Sequence, residues 1–271
     1  MNPLSKLPLS VTMIARNEAH RLPRSLGSVA GWVEEIVVVV NDCTDDTVAV
    51  AKSFGAEVSE HPFANMRDQN NVVLSRATKD WVLSIDADEE VPAQLKEEIF
   101  RFFAEGGADR VDGAYFPRRL WFLGRWIRHG DNYPDYVLRL FRREKAKWSG
   151  SGEHYQLSLD GKAEHFKNDL LHYSNDSING HISKINYFSD AHLRRQLEKG
   201  RKFSVFETLF RPCWRFVRSY IFRRGFLDGF PGLYLAVATA FATFVRYSRM
   251  YEHEVKTLDK KVCERSGGVE Y

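Results

Sequence analysis

Trp81-Val82-Leu83-Ser84-Ile85-Asp86-Ala87-Asp88-Glu89-Glu90 is an apolar run that ends in carboxylates, and its reading decides the fold. Residues 82–85 read as a buried strand, and in extended backbone residues two apart point the same way, so Asp86 and Asp88 present their carboxylates together. Such a pair suits a hard divalent cation, which completes its shell with substrate phosphates and makes a nucleotide diphosphate the natural companion of this strand end. An acidic turn after a strand is also an ordinary solvated loop or helix start. The flanking sequence has to decide.

Working outward, the first hundred residues alternate between strand and helix patterns. Residues 9–14 read as a strand, 21–29 as a helix, 35–40 as a buried strand, 46–54 as a helix and 57–59 as a short strand. A helix over 67–76 and the buried strand at 81–85 follow. This alternation predicts an α/β fold with right-handed crossovers and a mostly parallel, Rossmann-like sheet covered by helices on both faces. The ligand of such a sheet sits at the carboxyl ends of its strands. Arg16-Asn17-Glu18, Asn41-Asp42 and Asp86-Ala87-Asp88 all fall there, so three strand ends converge on one crevice. Neither a G-x-G-x-x-G turn nor a G-x-x-x-x-G-K-[ST] loop occurs in the first hundred residues. That argues against a dinucleotide-dependent dehydrogenase or a P-loop ATPase, and leaves a metal on Asp88 to neutralise phosphate.

After Gly107 the alternation stops, and strand-like pieces at 113–117, 136–141, 156–159 and 170–172 are separated by long polar and aromatic loops. Loops of that length in a compact domain are usually functional. A helix is predicted over 179–199. With 271 residues and 44% hydrophobic side chains, the chain has the composition of a globular domain with an appendage. Three widely spaced cysteines suit a reducing compartment. The apolar stretch at 9–14 is too short for a signal-peptide core, so a cytoplasmic location is expected.

The net charge of +3 is unevenly spread: residues 194–249 hold 12 Lys/Arg against 3 Asp/Glu, leaving the rest of the chain acidic. Arg211, Arg215 and Arg218 share one side of a helical projection, opposite Leu209, Cys213, Val217 and Tyr220. Pro212 is expected to break or start this helix, giving two pieces. Residues 232–245 are apolar but shorter than the ~20 that span a bilayer. A basic amphipathic helix beside a short apolar one predicts an anionic membrane interface as partner. Packing on the catalytic domain or a dimer interface competes with that reading, and nucleic acid is not expected.

Three elements resemble glycosyltransferase family 2, the inverting, nucleotide-sugar-dependent enzymes of GT-A fold. They are Val11-Thr12-Met13-Ile14-Ala15-Arg16-Asn17-Glu18, Val40-Asn41-Asp42-Cys43-Thr44-Asp45-Asp46-Thr47 and Ile85-Asp86-Ala87-Asp88-Glu89. The segments Arg128-His129-Gly130-Asp131-Asn132-Tyr133-Pro134-Asp135 and Arg139-Leu140-Phe141-Arg142-Arg143, with the arginine-rich C-terminal region, are similar to the bacterial lipopolysaccharide-core β-glucosyltransferases. The resemblance implies that Ala15, Asn17, Glu18 and Asp42 line the nucleotide pocket and that Asp86 lies near the ribose. It further implies that Asp88 binds manganese or magnesium, with His172 as a second ligand or as a hydrogen-bonded structural residue. Arg67 is a nucleotide contact or a solvated helix-face arginine, and Glu18 and Asp42 have a competing reading as cap or turn residues.

The resemblance implies a catalytic domain over 1–178, with a nucleotide-sugar half at 1–107 and an acceptor half at 108–178. A helical membrane-interface or packing segment follows at 179–251, then a tail at 252–271 with room to be flexible. It also implies a nucleotide diphosphate sugar donor, UDP-glucose foremost, and a lipid-linked glycan acceptor. The protein would then be peripheral on the inner face of the cell membrane.

Inverting transfer needs a carboxylate to take the acceptor proton while that oxygen attacks the anomeric carbon. Glu153 leads as this base. It is the acid in Trp148-Ser149-Gly150-Ser151-Gly152-Glu153-His154-Tyr155, although Tyr155 falls where strict register would put the family's glutamate. Asp131 and Asp135 are the alternatives. Arg125, Arg128 and His129, among Trp121, Phe122, Trp126 and Tyr133, either bind an anionic sugar acceptor or close the end of the sheet. Two other functions stay open: a sugar nucleotidyltransferase, for which Ala15-Arg16-Asn17-Glu18 lacks the glycine-rich basic loop, and a non-catalytic membrane-associated sugar-binding protein.

Overall fold

The computed structural model describes residues 6–150, 155–175 and 177–265. β1 (Leu7–Ala15), β2 (Val33–Val40), β3 (Glu57–Glu60) and β4 (Trp81–Ser84) run parallel in the order β3-β2-β1-β4. α1 (Leu22–Gly27), α2 (Thr47–Ser53) and α3 (Met66–Arg76) form the crossovers. The run Ile36-Val37-Val38-Val39-Val40 shows no alternation because both faces of its strand are covered. Val38 and Val40 join the core formed with Leu22, Leu26 and Ala51, whereas Val37 and Val39 pack with Val73 of α3. α4 (Ala93–Ala104) adds Leu95, Ile99 and Phe102 to the first of these cores. The sequence reading assigns no element there, although those three residues follow helical spacing after Pro92.

The second half of the sheet is antiparallel. β6 (Gly113–Phe122) and β4 both pair antiparallel with β8 (Asp135–Arg142), and the order continues from β8 through β6 and β12 (Leu170–Asn175) to β5 (Glu89–Glu90). α5 (Gly107–Arg110), β7 (Arg125–Trp126) and β11 (Ala163–His165) are short, and β9 (Ala146–Ser149) forms a separate antiparallel pair with β10 (Gln156–Leu159). The register that matters for the site is Leu171 opposite Glu90 and His172 opposite Glu89. It carries β12 back beside Asp88.

By packing, the chain divides into Met1–Trp121 with Tyr133–Ser174, and Phe122–Asn132 with Asn175–Tyr271. In the second unit α6 (Ile178–Glu198) is capped by Ser177, and α7 (Val205–Val217) by Ser204. α7 runs on through a π-helical turn at Arg218–Phe222, and after a 3-10 turn at Gly225–Asp228 the long α8 (Gly229–Arg265) begins. Pro212 therefore does not break the helix as expected. It lies buried inside α7, where packing outweighs the one hydrogen bond that proline removes, and the chain turns after Phe222 instead.

The close turn into α8 depends on glycine: a Cβ on Gly232 would come within 2.0 Å of the Gly225 carbonyl oxygen. α8 packs against α6 and α7 and buries Leu235, Ala236, Ala238, Ala242, Tyr247 and Met250. Residues Gly225–Leu258 are long and apolar enough to cross a membrane by length and composition alone. The helix also continues past residue 251 through Arg265, with Lys256 and Glu252 paired at 2.6 Å one turn apart.

Candidate active site

The loops after β1 and β2 are stitched together by side chains. Asn17 Oδ1 accepts from the Thr44 amide at 2.7 Å, the Glu18 amide donates to the Thr47 hydroxyl at 2.7 Å, and the Ala19 amide donates to Asp45 at 3.1 Å. Asp45 in turn accepts from the Thr47 amide at 3.0 Å and its hydroxyl at 2.5 Å. Asn17 and Asp42 both adopt left-handed backbone, with φ of 55° and 43°. Such conformations cost a non-glycine residue about 1 kcal/mol or more and persist only where the surroundings enforce them. Ala15 is buried at the end of β1, Asp42 is exposed, and the buried amide nitrogen of Asn41 makes no hydrogen bond. Thr44, Asp45 and Thr47 carry no signal of a role in the sequence, and only their cross-loop bonds reveal it.

Asp88 follows β4 and meets β12. Its Oδ2 lies 3.5 Å from Nε2 of His172, and its carbonyl accepts from the Tyr173 amide at 2.8 Å. Burial acts to raise the Asp88 carboxyl, but the His172 hydrogen bond and the charges of His172, Arg21 and Arg118 outweigh it and hold the group below the usual carboxylate range. Glu18 moves the other way. Burial pushes its carboxyl up, the charge of Asp88 adds to this, and Arg21, paired at 3.1 Å, only partly offsets it. A divalent cation held here would meet an anionic oxygen and an imidazole nitrogen.

Asp86 has a different environment. Its carboxylate is bound by Arg139, which is buried in β8 and also donates to Glu89 at 2.7 Å. Glu89 is fully buried, accepts from the Asp86 amide at 3.0 Å, and lies 3.4 Å from Arg118. Burial alone would lower the Arg139 guanidinium, yet Asp86 and Glu89 raise it, so the guanidinium stays charged. Arg118 reaches on to Asp135 at 2.7 Å. Asp86, Arg139, Glu89, Arg118 and Asp135 thus form one chain of charge. Its sequence signal is an arginine in the middle of an apolar strand, Val137-Leu138-Arg139-Leu140-Phe141.

The remaining expected site residues are placed as follows. Arg67, in the first turn of α3, donates to the Gly150 carbonyl at 2.8 Å. Asp131, in the second unit, is buried and paired with Arg215, Arg218 and Arg223 at 3.3, 2.6 and 3.4 Å. His129 and the amides of Arg128 and His129 bind the buried Asp228, at 3.1, 3.0 and 2.8 Å, and Arg125 lies 3.8 Å from the same carboxylate. The Arg128 side chain is exposed. Glu153 lies outside the described residues.

Residues 10–157 match the family description Glycosyl transferase family 2. An uncharacterized glycosyltransferase of Rickettsia typhi is 31% identical over 258 residues, covering 92% of this chain and 88% of that protein. The lipopolysaccharide core biosynthesis glycosyltransferase LpsC of Rhizobium meliloti is 27% identical over 262 residues, covering 93% of this chain and 96% of LpsC. Among solved structures, S. aureus TarS 1–349 in complex with UDP-GlcNAc superposes with a TM-score of 0.50 at 14% identity, over 97% of this chain and 93% of that one. The mixed sheet with helices on both faces is the expected GT-A arrangement, the C-terminal helices are present, and the likeness to TarS is one of fold. Matched over more than half its length by the family description, and over nine-tenths by a relative above 30% identity, the chain belongs to glycosyltransferase family 2.

Proposed function

We propose that this glycosyltransferase is an inverting, divalent-metal-dependent hexosyltransferase that moves glucose from UDP-glucose to a lipid-linked glycan of the lipopolysaccharide-core kind. The observation that carries the reading is the Asp88–His172 pair at the end of β4, beside strand ends that carry Asn17, Glu18 and Asp42. The role of LpsC in lipopolysaccharide core biosynthesis and the UDP-GlcNAc bound to TarS support the acceptor and donor classes.

Among the described residues no three His, Cys, Asp or Glu side chains form a metal-holding group. Asp88 and His172 still fit manganese or magnesium, because such cations in nucleotide sites use one or two protein ligands and fill the shell with water and phosphate oxygens. When bound there, the cation neutralises charge on the departing diphosphate. In this reading Ala15, Asn17, Glu18 and Asp42 receive the nucleoside, Asp86 faces its ribose from the Arg139 anchor, and Arg67 serves the nucleotide from the start of α3.

Glu153 is proposed as the base, because both rival carboxylates are already engaged: Asp135 by Arg118, and Asp131 by three guanidinium groups. It would take the acceptor hydroxyl proton as the oxygen–carbon bond forms on one face of the sugar and the bond to phosphate breaks on the other, leaving an inverted β-linkage and UDP. Of Arg125, Arg128 and His129, Arg128 suits an anionic acceptor, since the other two side chains turn to Asp228. In this reading residues 1–178 form the catalytic domain, and the basic helical region after them meets the anionic inner face of the cell membrane.

A thermal-shift panel of nucleotide sugars with and without manganese, followed by transfer to a core-oligosaccharide acceptor, tests the proposal. It expects manganese-dependent stabilisation by UDP-glucose and a new β-linkage. Equal stabilisation by every nucleotide sugar, with no transfer, would reject it.

A further inference from the structure

Helix α7 is inside out for a helix in water. Thr208, Pro212 and Ser219 on its line are buried, whereas Phe206 is 71%, Trp214 46% and Ile221 53% exposed. Leu209, Phe210, Val217 and Phe222 are exposed as well, and the π-helical turn keeps the last two aromatic and aliphatic side chains, Ile221 and Phe222, on the outside. Past the turn, Phe226, Leu227 and Phe230 continue the apolar surface. At these exposures the patch is on the order of several hundred Å², beyond what a soluble monomer ordinarily leaves bare.

The arginines of this segment are occupied from within. Arg211 pairs with Glu207 at 2.6 Å, and Arg215, Arg218 and Arg223 share the buried carboxylate of Asp131, which also takes its place in the turn through its amide bond to Ser219 at 3.2 Å. Four guanidinium groups meet two carboxylates here, so the segment keeps a net positive charge while these side chains are held to the protein. What it offers is aromatic and aliphatic surface.

We infer that this face of α7 and the turn after it is a hydrophobic wedge that enters the acyl-chain layer of one lipid leaflet. The inference rests on the membrane reading above and changes its physics: attachment comes from apolar insertion rather than from adsorption of a basic face. Charge selects lipid over a second copy of the chain. No acidic residue occurs between Thr208 and Leu227, and the exposed Arg201, Lys202, Arg223 and Arg224 border the patch. Two such surfaces face to face would set like charges against each other, whereas anionic headgroups complement the border and acyl chains accept Phe, Trp and Ile without register.

The full-length protein is mixed with phosphatidylglycerol/phosphatidylethanolamine vesicles and sedimented at 0.1 M and 1 M NaCl, alongside a Phe210→Asp/Ile221→Asp variant. Each protein is checked by its melting curve and by the UDP-glucose thermal shift. Binding that survives 1 M salt, drops at least tenfold in the variant, and shows Trp214 emission quenched by acyl-brominated lipid, measured as the difference from Trp214→Phe, supports the wedge. A Phe222→Ser variant repeats the measurement should the double variant melt early. Vesicle binding that disappears in high salt, or is unchanged in the variants, overturns the wedge and leaves the membrane reading standing. No binding at either salt overturns both. A dimer of the parent that the variant dissociates, seen by light scattering without lipid, overturns the wedge in favour of self-association.

Discussion

Nε2 of His172 lies 3.5 Å from Oδ2 of Asp88, a juxtaposition made by the short antiparallel ladder between β12 and β5. A carboxylate and an imidazole brought together from distant parts of the chain are expected to act as one metal-binding pair. Asp88→Asn should lower transfer about a thousandfold, the scale seen when a group stabilising developing charge is removed. His172→Ala should weaken manganese binding in the presence of UDP by at least about tenfold. Calorimetric titration of manganese into the UDP complex checks both, and unchanged affinity in either variant removes that residue from the metal site.

Arg139 is the keystone of a buried network, holding Asp86 and the fully buried Glu89. Arg139→Leu leaves the buried Glu89 with Arg118, 3.4 Å away, as its remaining cationic partner and is expected to destabilise folding by about 3 kcal/mol. Adding Glu89→Leu removes that under-compensated buried charge and should restore part of the loss. Urea unfolding of the single and double variants measures the difference. A single variant within about 1 kcal/mol of the parent would show that the network carries little stability.

The parallel half of the fold was legible because local pattern and tertiary structure agree there: strand runs such as Val37-Val38-Val39-Val40 and helix faces such as Gln69 to Leu74 are set by which sides are buried. β5 was not, since a two-residue strand exists only through its pairing with β12. The expectation that Asp86 and Asp88 present their carboxylates together rested on extended backbone, but β4 ends at Ser84 and the chain turns at Ala87 and Asp88. Asp86 is committed to Arg139 and Asp88 faces His172, and both partners are remote in sequence. In the second unit, helical projection correctly separated arginines from apolar residues on α7, yet projection carries no information about which side faces protein. That depended on Asp131, whose buried carboxylate draws the arginines inward.

His192 gives the second unit a predictable response to acid. Burial first, and then the charges of Arg246, Arg195, Arg211 and Arg201, push its imidazole down to about 4. The unfolded chain takes up this proton near the ordinary value of about 6.5. Between those values the unfolded state binds more protons, so the contribution is fully present above about 6.5, erodes as pH falls, and is gone below about 4. His192→Gln should flatten this part of the profile. Asp88, held below the usual carboxylate range, acts only in a lower window, where protonation through its folded value removes its contribution. Melting temperatures from pH 7.5 to 4.5 check the point, and parallel curves for parent and variant would refute it.

The base is decided by comparing three isosteric variants. Glu153→Gln is expected to lower kcat by about a hundredfold to ten-thousandfold while leaving UDP-glucose affinity unchanged, because a general base acts in the transition state and not on the bound donor. Asp131→Asn should act on folding instead. It removes the charge that balances Arg215, Arg218 and Arg223, so the melting temperature falls while kcat per folded molecule persists. Asp135→Asn loosens Arg118 and through it Glu89, and should lower stability with at most a modest effect on kcat. Single-turnover transfer with saturating donor separates these effects from binding. A collapse of kcat in Asp135→Asn with full activity in Glu153→Gln would move the proton acceptor from Glu153 to Asp135, the first residue of β8.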